Sequence, residues 1–120
     1  MSDHTFTTTL AWSGSTGVGY DDYSREHELT MASTTTRASS DVAFGGDAAL
    51  PNPEQLLVAA ASSCQMLSFL AVAARARLDV VDYRDEAVGE MPEGERPMWV
   101  TRIVLRPHIT LAAPAPRAKV

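Results

Sequence analysis

The sequence predicts an α+β fold in which one long helix packs against antiparallel strands. A run of 20 residues without a charged side chain, residues 55–74, follows a strong helix start. Short segments typical of strands lie on both sides of this run. The chain has 45% hydrophobic and 21% charged residues, which indicates a globular protein rather than a disordered one.

Length and composition limit the class of protein. The 120 residues predict a single domain, 1–120. The net charge is −5 and Lys119 is the only lysine, so no basic stripe for nucleic acid is present. One cysteine excludes an intrachain disulfide, and three histidines without metal-ligand spacing predict no metal. We expect no cofactor, and the first residues lack a secretory signal, which predicts a cytoplasmic protein.

The segments before the helix contain one clear strand signal. Residues 5–12 (TFTTTLAW) alternate threonine with apolar side chains, as strands do. A segment of mixed polarity follows at 20–31, and the Ser/Thr-rich segment 32–41 predicts a half-exposed strand or a loop. Residues 44–47 (FGGD) predict a turn.

The helix start is the clearest local signal. Asn52 is a preferred N-cap, Pro53 suits the first helical position, and Gln55 occupies the capping-box position. No helix breaker occurs before about Arg77. A helix that is apolar on all sides is buried or crosses a membrane. Serine, glutamine and many alanines in the run favour burial, and because so short a chain cannot wrap the helix, we expect a second copy to cover it.

Two strands are predicted after the helix. The first covers residues 80–91 and ends at a turn at 92–95. The second covers 98–111, and Pro107 within it suggests an edge strand or a bulge. Residues 117–120 resemble the first turn of a further helix. The positions of the first strand that we expect to face inward are Val81, Tyr83, Ala87 and Val88.

Cys64 is the residue with the most nucleophilic potential. As a lone cysteine on a buried helix it could also be a small hydrophobic packing residue. A reactive thiolate this far from the helix N-terminus needs a cation from elsewhere, and the candidates are Arg25, His27 and Arg37. Glu54 lies about 15 Å from Cys64 along the helix, so it could orient a cation or only interact with the helix dipole.

Residues 23–28 (YSREHE) concentrate charge and an imidazole. If this segment is extended, Arg25 and His27 face one side while Glu26 and Glu28 face the other. The segment is then either a solvated strand face or part of a site.

These motifs together resemble the OsmC/Ohr family of osmotically inducible and organic-hydroperoxide-resistance proteins, and within it an OsmC-like subgroup. The resemblance covers nearly the whole chain in order. It is carried by YSREHE at 23–28, FGGD at 44–47, NPEQLLVAAASSC at 52–64, DVVDYRDEAVGEM at 79–91 and TRIVLRPHITL at 101–111.

The resemblance implies an OsmC-like fold, an intertwined homodimer and a thiol peroxidase that reduces organic hydroperoxides in defence against oxidative stress. It assigns the attack on the peroxide to Cys64, the stabilisation of the thiolate to Arg25, and the anchoring of that arginine to Glu54. The partners that it implies are the hydroperoxide and a dithiol reductant such as a lipoyl protein, with no nucleic acid and no membrane.

The sequence departs from the family pattern at two points. The family's second cysteine lies on a helix after the last strand pair, and we expect the 120 residues to stop before that C-terminal helix. Gln65 stands where subgroup members often carry histidine. The alternative function is a non-catalytic OsmC-like protein that binds a small apolar ligand, with Cys64 as a packing residue.

Overall fold

The computed structural model describes residues 3–94 and 97–113. The chain divides into two compact units, Met1–Pro53 and Glu54–Val120. One long helix and antiparallel strand pairs confirm the predicted α+β class. The helical turn predicted at 117–120 lies outside the described residues.

The first unit contains a three-stranded antiparallel sheet in the order β1-β2-β3. Its strands are β1 (Thr8–Ala11), β2 (His27–Met31) and β3 (Thr34–Ala38). Met31 pairs with Thr34, so a two-residue turn joins β2 to β3. Strand β1 lies within the strand predicted at 5–12, and the Ser/Thr-rich segment, predicted as a strand or a loop, is a strand over five of its residues. Strand β2 lies within the segment of mixed polarity, for which the sequence predicts no particular element.

The loop after β3 is fixed by polar contacts around Ser39, which is 1% exposed. Its backbone N–H donates to the carbonyl of Pro51 (2.9 Å), and its Oγ accepts from the backbone N–H of Asp47 (3.1 Å). Asp41 caps the short 3-10 helix Val42–Phe44 through its side chain. These contacts hold the FGGD segment in place, in agreement with the predicted turn.

The second unit contains helix α1 and two strand pairs. Helix α1 is Pro53–Arg75, so its first residue is the predicted one. Strand β4 (Val80–Asp85) pairs with β7 (Pro107–Leu111), and β5 (Val88–Glu90) pairs with β6 (Arg102–Val104), both antiparallel.

Helix α1 ends two residues before the predicted end. Arg77 adopts a left-handed conformation with φ of 61°. The N–H of Arg77 donates to the carbonyl of Ala74 (3.1 Å), and the N–H of Leu78 donates to the carbonyl of Ala73 (2.9 Å). This pair of bonds is a Schellman motif, which satisfies the last carbonyls and stops the helix.

Each long strand predicted after the helix is in fact two short strands. The chain leaves the β4–β7 pair after Asp85, and residues 86–87 separate β4 from β5. Residues 105–106 likewise separate β6 from β7, and the Asp85 carboxylate accepts a bond from the backbone N–H of Arg106 (2.6 Å) at this break. Pro107 is the first residue of β7, a position where its missing N–H is tolerated.

The predicted inward face of this segment is half wrong. Tyr83 and Ala87 are partly buried, whereas Val81 and Val88 are 59% and 47% exposed. The register of β4 against β7 shifts between Val80 and Asp82. The shift inserts an extra residue into the pleat, so Val80 rather than Val81 shares the partly buried side with Tyr83.

Helix α1 is covered little by its own chain. Among its described residues only Ala73 is buried, and Leu57, Leu67 and Val72 are 51%, 61% and 61% exposed. By length and composition alone the helix is apolar enough to cross a membrane. The composition of the helix predicts that it is buried, but a single copy of the chain leaves most of it exposed.

Candidate functional site

Cys64 is exposed, which contradicts the interpretation of this thiol as a residue buried in the core of its own chain. It lies in the middle of α1. Helical spacing places Leu57, Ala60, Leu67 and Ala71 on the same face, and all of them are exposed. The thiol therefore stands in a stripe of apolar and small side chains, accessible to a reactant in the single chain.

Arg25 is held by two tyrosines. Its Nη1 donates to the carbonyl oxygen of Tyr23 (2.5 Å), and its Nη2 donates to the carbonyl oxygen of Tyr20 (2.6 Å). The guanidinium carbon also lies 3.6 Å from the ring centroid of Tyr23 and 4.8 Å from that of Tyr20. These distances are within the range of cation–π attraction. The side chain is thus held by two carbonyl oxygens and by contact with two aromatic rings.

Gly45 in the FGGD segment completes this arrangement. Its φ of 81° is in the left-handed region, which glycine adopts without strain. A Cβ at this position would lie 2.9 Å from Cζ of Arg25. The backbone therefore approaches the guanidinium as closely as only a glycine permits.

The other two candidate cations have partners of their own. His27 Nδ1 lies 2.8 Å from the carbonyl oxygen of Arg25, and because a carbonyl only accepts, Nδ1 carries the proton. Arg37 forms an ion pair with Glu26, and this hydrogen bond and charge raise the pKa of Arg37. The predicted alternation is confirmed, since Arg25 and His27 are partly buried and Glu26 and Glu28 are exposed.

A cleft of about 340 Å³ lies beside Arg25 in the first unit. The rings of Trp12 and Tyr23 line it, together with Arg25 and His27. The indole Nε1 of Trp12 donates to the carbonyl of Ser24 (2.8 Å), which fixes the orientation of that wall. The cleft thus combines aromatic surface with a cation.

Glu54 lies in the first turn of α1, where a carboxylate is favoured by the helix dipole. Its Oε2 is buried and has no hydrogen-bond partner among the described residues. An unpaired buried carboxylate oxygen is costly, so this atom is suited to receive a donor. Glu54 and Cys64 are ten residues apart on the same helix, about 15 Å along its axis.

Sequence reasoning missed the residues that support these groups. Tyr20 and Tyr23 are close to Arg25 in sequence, but no sequence pattern indicates that their backbone carbonyls bind its guanidinium. On α1, the hydroxyl of Ser62 donates to the carboxylate of Asp85 (2.5 Å), which ties the helix to the end of β4. In residues 3–94 and 97–113, no group of three histidine, cysteine or acidic residues is placed to hold a metal ion.

Comparisons with known proteins agree with this architecture. A family model described as OsmC-like protein matches residues 45–120. A similar solved structure is that of an OsmC-like protein of unknown function from Vibrio cholerae O1 biovar eltor strain N16961. The two chains are 31% identical with a TM-score of 0.81, over 97% of this chain and 79% of the other. No protein of curated function matches the chain.

Proposed function

The chain belongs to the OsmC-like protein family, and from this premise we propose that it is a cysteine-dependent peroxidase that reduces organic hydroperoxides. The observation that carries the proposal is the free thiol of Cys64 in the middle of helix α1, at the end of the NPEQLL…C motif. The motif thus provides a thiol, the nucleophile that a peroxidase of this kind requires, on a long helix.

The proposed first step is a two-electron displacement. The Cys64 thiolate attacks the terminal oxygen of the hydroperoxide, so that an S–O bond forms while the O–O bond breaks. The sulfur becomes a sulfenic acid, and the alkoxide takes a proton and leaves as the alcohol. Arg25 is proposed to stabilise the thiolate and the leaving alkoxide, because a preorganised cation acts on both negative charges. Glu54 is proposed to anchor that arginine with its unpaired carboxylate oxygen.

Recycling is proposed to use a separate dithiol, since Cys64 is the only cysteine in the sequence. One thiol of the reductant attacks the sulfenic sulfur, releases water and forms a mixed disulfide. Its second thiol then displaces Cys64 and leaves as a cyclic disulfide. A lipoyl group has the required pair of thiols, and a lipoyl protein is therefore the proposed donor.

We also propose a homodimer in the cytoplasm. The exposed apolar stripe around Cys64 supports a second copy of the chain as the cover of α1. OsmC-like proteins are soluble, so a protein cover is favoured over lipid despite the length of the helix.

The central test is the reaction of the purified chain with cumene hydroperoxide, read by a sulfenic-acid probe on Cys64. We expect about one equivalent of peroxide consumed per subunit, and steady turnover only after a small dithiol is added. Cys64→Ser is expected to abolish both. Because the stripe around the thiol is apolar, we expect a faster reaction with cumene hydroperoxide than with hydrogen peroxide.

Turnover by the Cys64→Ser variant would contradict the mechanism. Absence of sulfenic acid in the unmodified chain would favour the non-catalytic function, a protein that binds a small apolar ligand. Titration with a fluorescent fatty acid would then be expected to saturate at one site per subunit.

A further inference from the structure

The two arginines of the first sheet are held in different ways. Arg37 pairs with the carboxylate of Glu26, so a negative charge lies directly beside its own. Arg25 has only carbonyl oxygens and aromatic rings as partners among the described residues. A neutral cage fixes the position of a guanidinium and leaves its positive charge in place.

We propose that Tyr20 and Tyr23 are positioning residues that cage Arg25, so that it presents an uncompensated positive charge to an anion. A guanidinium has five N–H donors, and two of these are used by the tyrosine carbonyls. The other three have no partner among the described residues. They are the donors that a thiolate, an alkoxide or another oxyanion would meet.

The rings prevent the guanidinium from leaving this orientation. Tyr23 is the nearer ring and Tyr20 the farther one, and their own planes meet at 81° with centroids 6.2 Å apart. Trp12 packs edge-on against Tyr23, at 6.4 Å between centroids. Gly45 closes another side, because any Cβ there would press on Cζ of Arg25. The cage is therefore built from three separate segments of the first unit.

Tyr20 is the position at which the cage can be tested without disturbing a core. Its side chain is 66% exposed, so its replacement leaves no cavity. Tyr20→Leu removes the ring and keeps the backbone carbonyl. Tyr20→Phe keeps the ring, and Tyr20→Met is a second ring-free variant should the leucine variant fail to fold.

The first measurement does not depend on enzymatic activity. Arginine modification by phenylglyoxal is followed by peptide mass spectrometry at Arg25, with the 80% exposed side chain of Arg84 as the internal reference. Loss of the ring is expected to increase the rate at Arg25 about two- to fivefold. The rate at Arg84 is expected to stay constant, and Tyr20→Phe is expected to match the unmodified protein. Equal rates at Arg25 in the phenylalanine, leucine and methionine variants would overturn the cage.

The second measurement concerns what Arg25 does and therefore rests on the proposed function. Alkylation of Cys64 by iodoacetamide is recorded against pH for Tyr20→Leu in the unmodified and the Arg25→Met backgrounds. We expect Tyr20→Leu to slow alkylation at neutral pH only where Arg25 is present. A changed Arg25 modification rate with unchanged Cys64 alkylation would support the cage and contradict the assigned role of Arg25. Equal slowing in both backgrounds would show that Tyr20 acts on Cys64 without Arg25, which would overturn the positioning role.

Discussion

At the scale of single residues, backbone conformation and charge determine which substitutions the first unit tolerates. Gly45 combines a left-handed φ of 81° with a contact to Arg25. Arg25 depends on this approach, because its guanidinium lies against the glycine backbone. Gly45 therefore contributes both to the stability of the loop and to the position of the proposed catalytic cation, Arg25.

We expect Gly45→Ala to lower the free energy of unfolding by about 1–2 kcal/mol, because an L-residue is strained in the left-handed region. It is also expected to release Arg25, since the added methyl would lie 2.9 Å from Cζ. Urea denaturation measures the first effect, and phenylglyoxal modification of Arg25 the second. Gly94→Ala is the matched control, because a Cβ at that glycine meets open space. A Gly45→Ala variant as stable as the control would contradict the strain argument.

Arg25→Met tests the assigned role of the cation directly. Removing a positive charge that favours the thiolate is expected to slow iodoacetamide alkylation of Cys64 at neutral pH about tenfold. At a pH where the thiol is fully ionised, the rates of the two proteins are expected to converge. Arg84→Met, at an exposed side chain, controls for the loss of net charge. An unchanged rate would assign the role to His27 or Arg37 instead.

At the scale of elements, the ends of α1 are determined by different kinds of signal. The beginning follows from residues 52–55, each suited to its position by local chemistry. The end depends on Arg77, a residue that tolerates the left-handed conformation poorly. A glycine is the usual residue at this position of a Schellman motif.

Arg77→Gly is therefore expected to stabilise the protein by about 1 kcal/mol, by removing the strain of φ 61°. Thermal or urea denaturation would measure the gain. Arg75→Gly is the opposing control, because it places glycine within the last helical turn and is expected to destabilise by about 1 kcal/mol. A loss of stability in Arg77→Gly would show that the arginine side chain makes a contact worth more than the strain.

At the scale of the whole molecule, the main requirement for stability is a surface that packs against the exposed apolar side chains of α1. The leucine and valine side chains exposed on the helix forgo part of the about 1.5–3 kcal/mol that full burial of each would contribute. The two strand pairs of the second unit are also short, and isolated two-stranded sheets are marginal in water. A second copy of the chain would satisfy both requirements.

We expect light scattering of the purified protein at micromolar concentration to give the mass of a dimer, about twice 12.9 kDa. Leu67→Glu places a charge in the exposed stripe and is expected to shift the mass towards that of the monomer or to impair folding. Leu67→Met keeps the apolar character and is expected to remain a dimer. A stable, folded monomer of the unmodified chain would contradict the proposed assembly, and a detergent requirement would favour a membrane partner.

By itself, the sequence determined the α+β class, the first residue of α1, the strand within residues 5–12 and the family, because these depend on local propensity and motif. It also determined which sides Arg25 and Glu26 face, since an extended segment alternates regularly. Tertiary structure alone decided the inward face of β4. The bulge at Val81 adds one residue, so Val80 and not Val81 shares the partly buried side with Tyr83. It also decided the exposure of Cys64 in the single chain and the approach of Gly45 and Trp12 to the cage around Arg25. Contacts between segments far apart in sequence are set by how the chain folds back on itself, which no local pattern encodes.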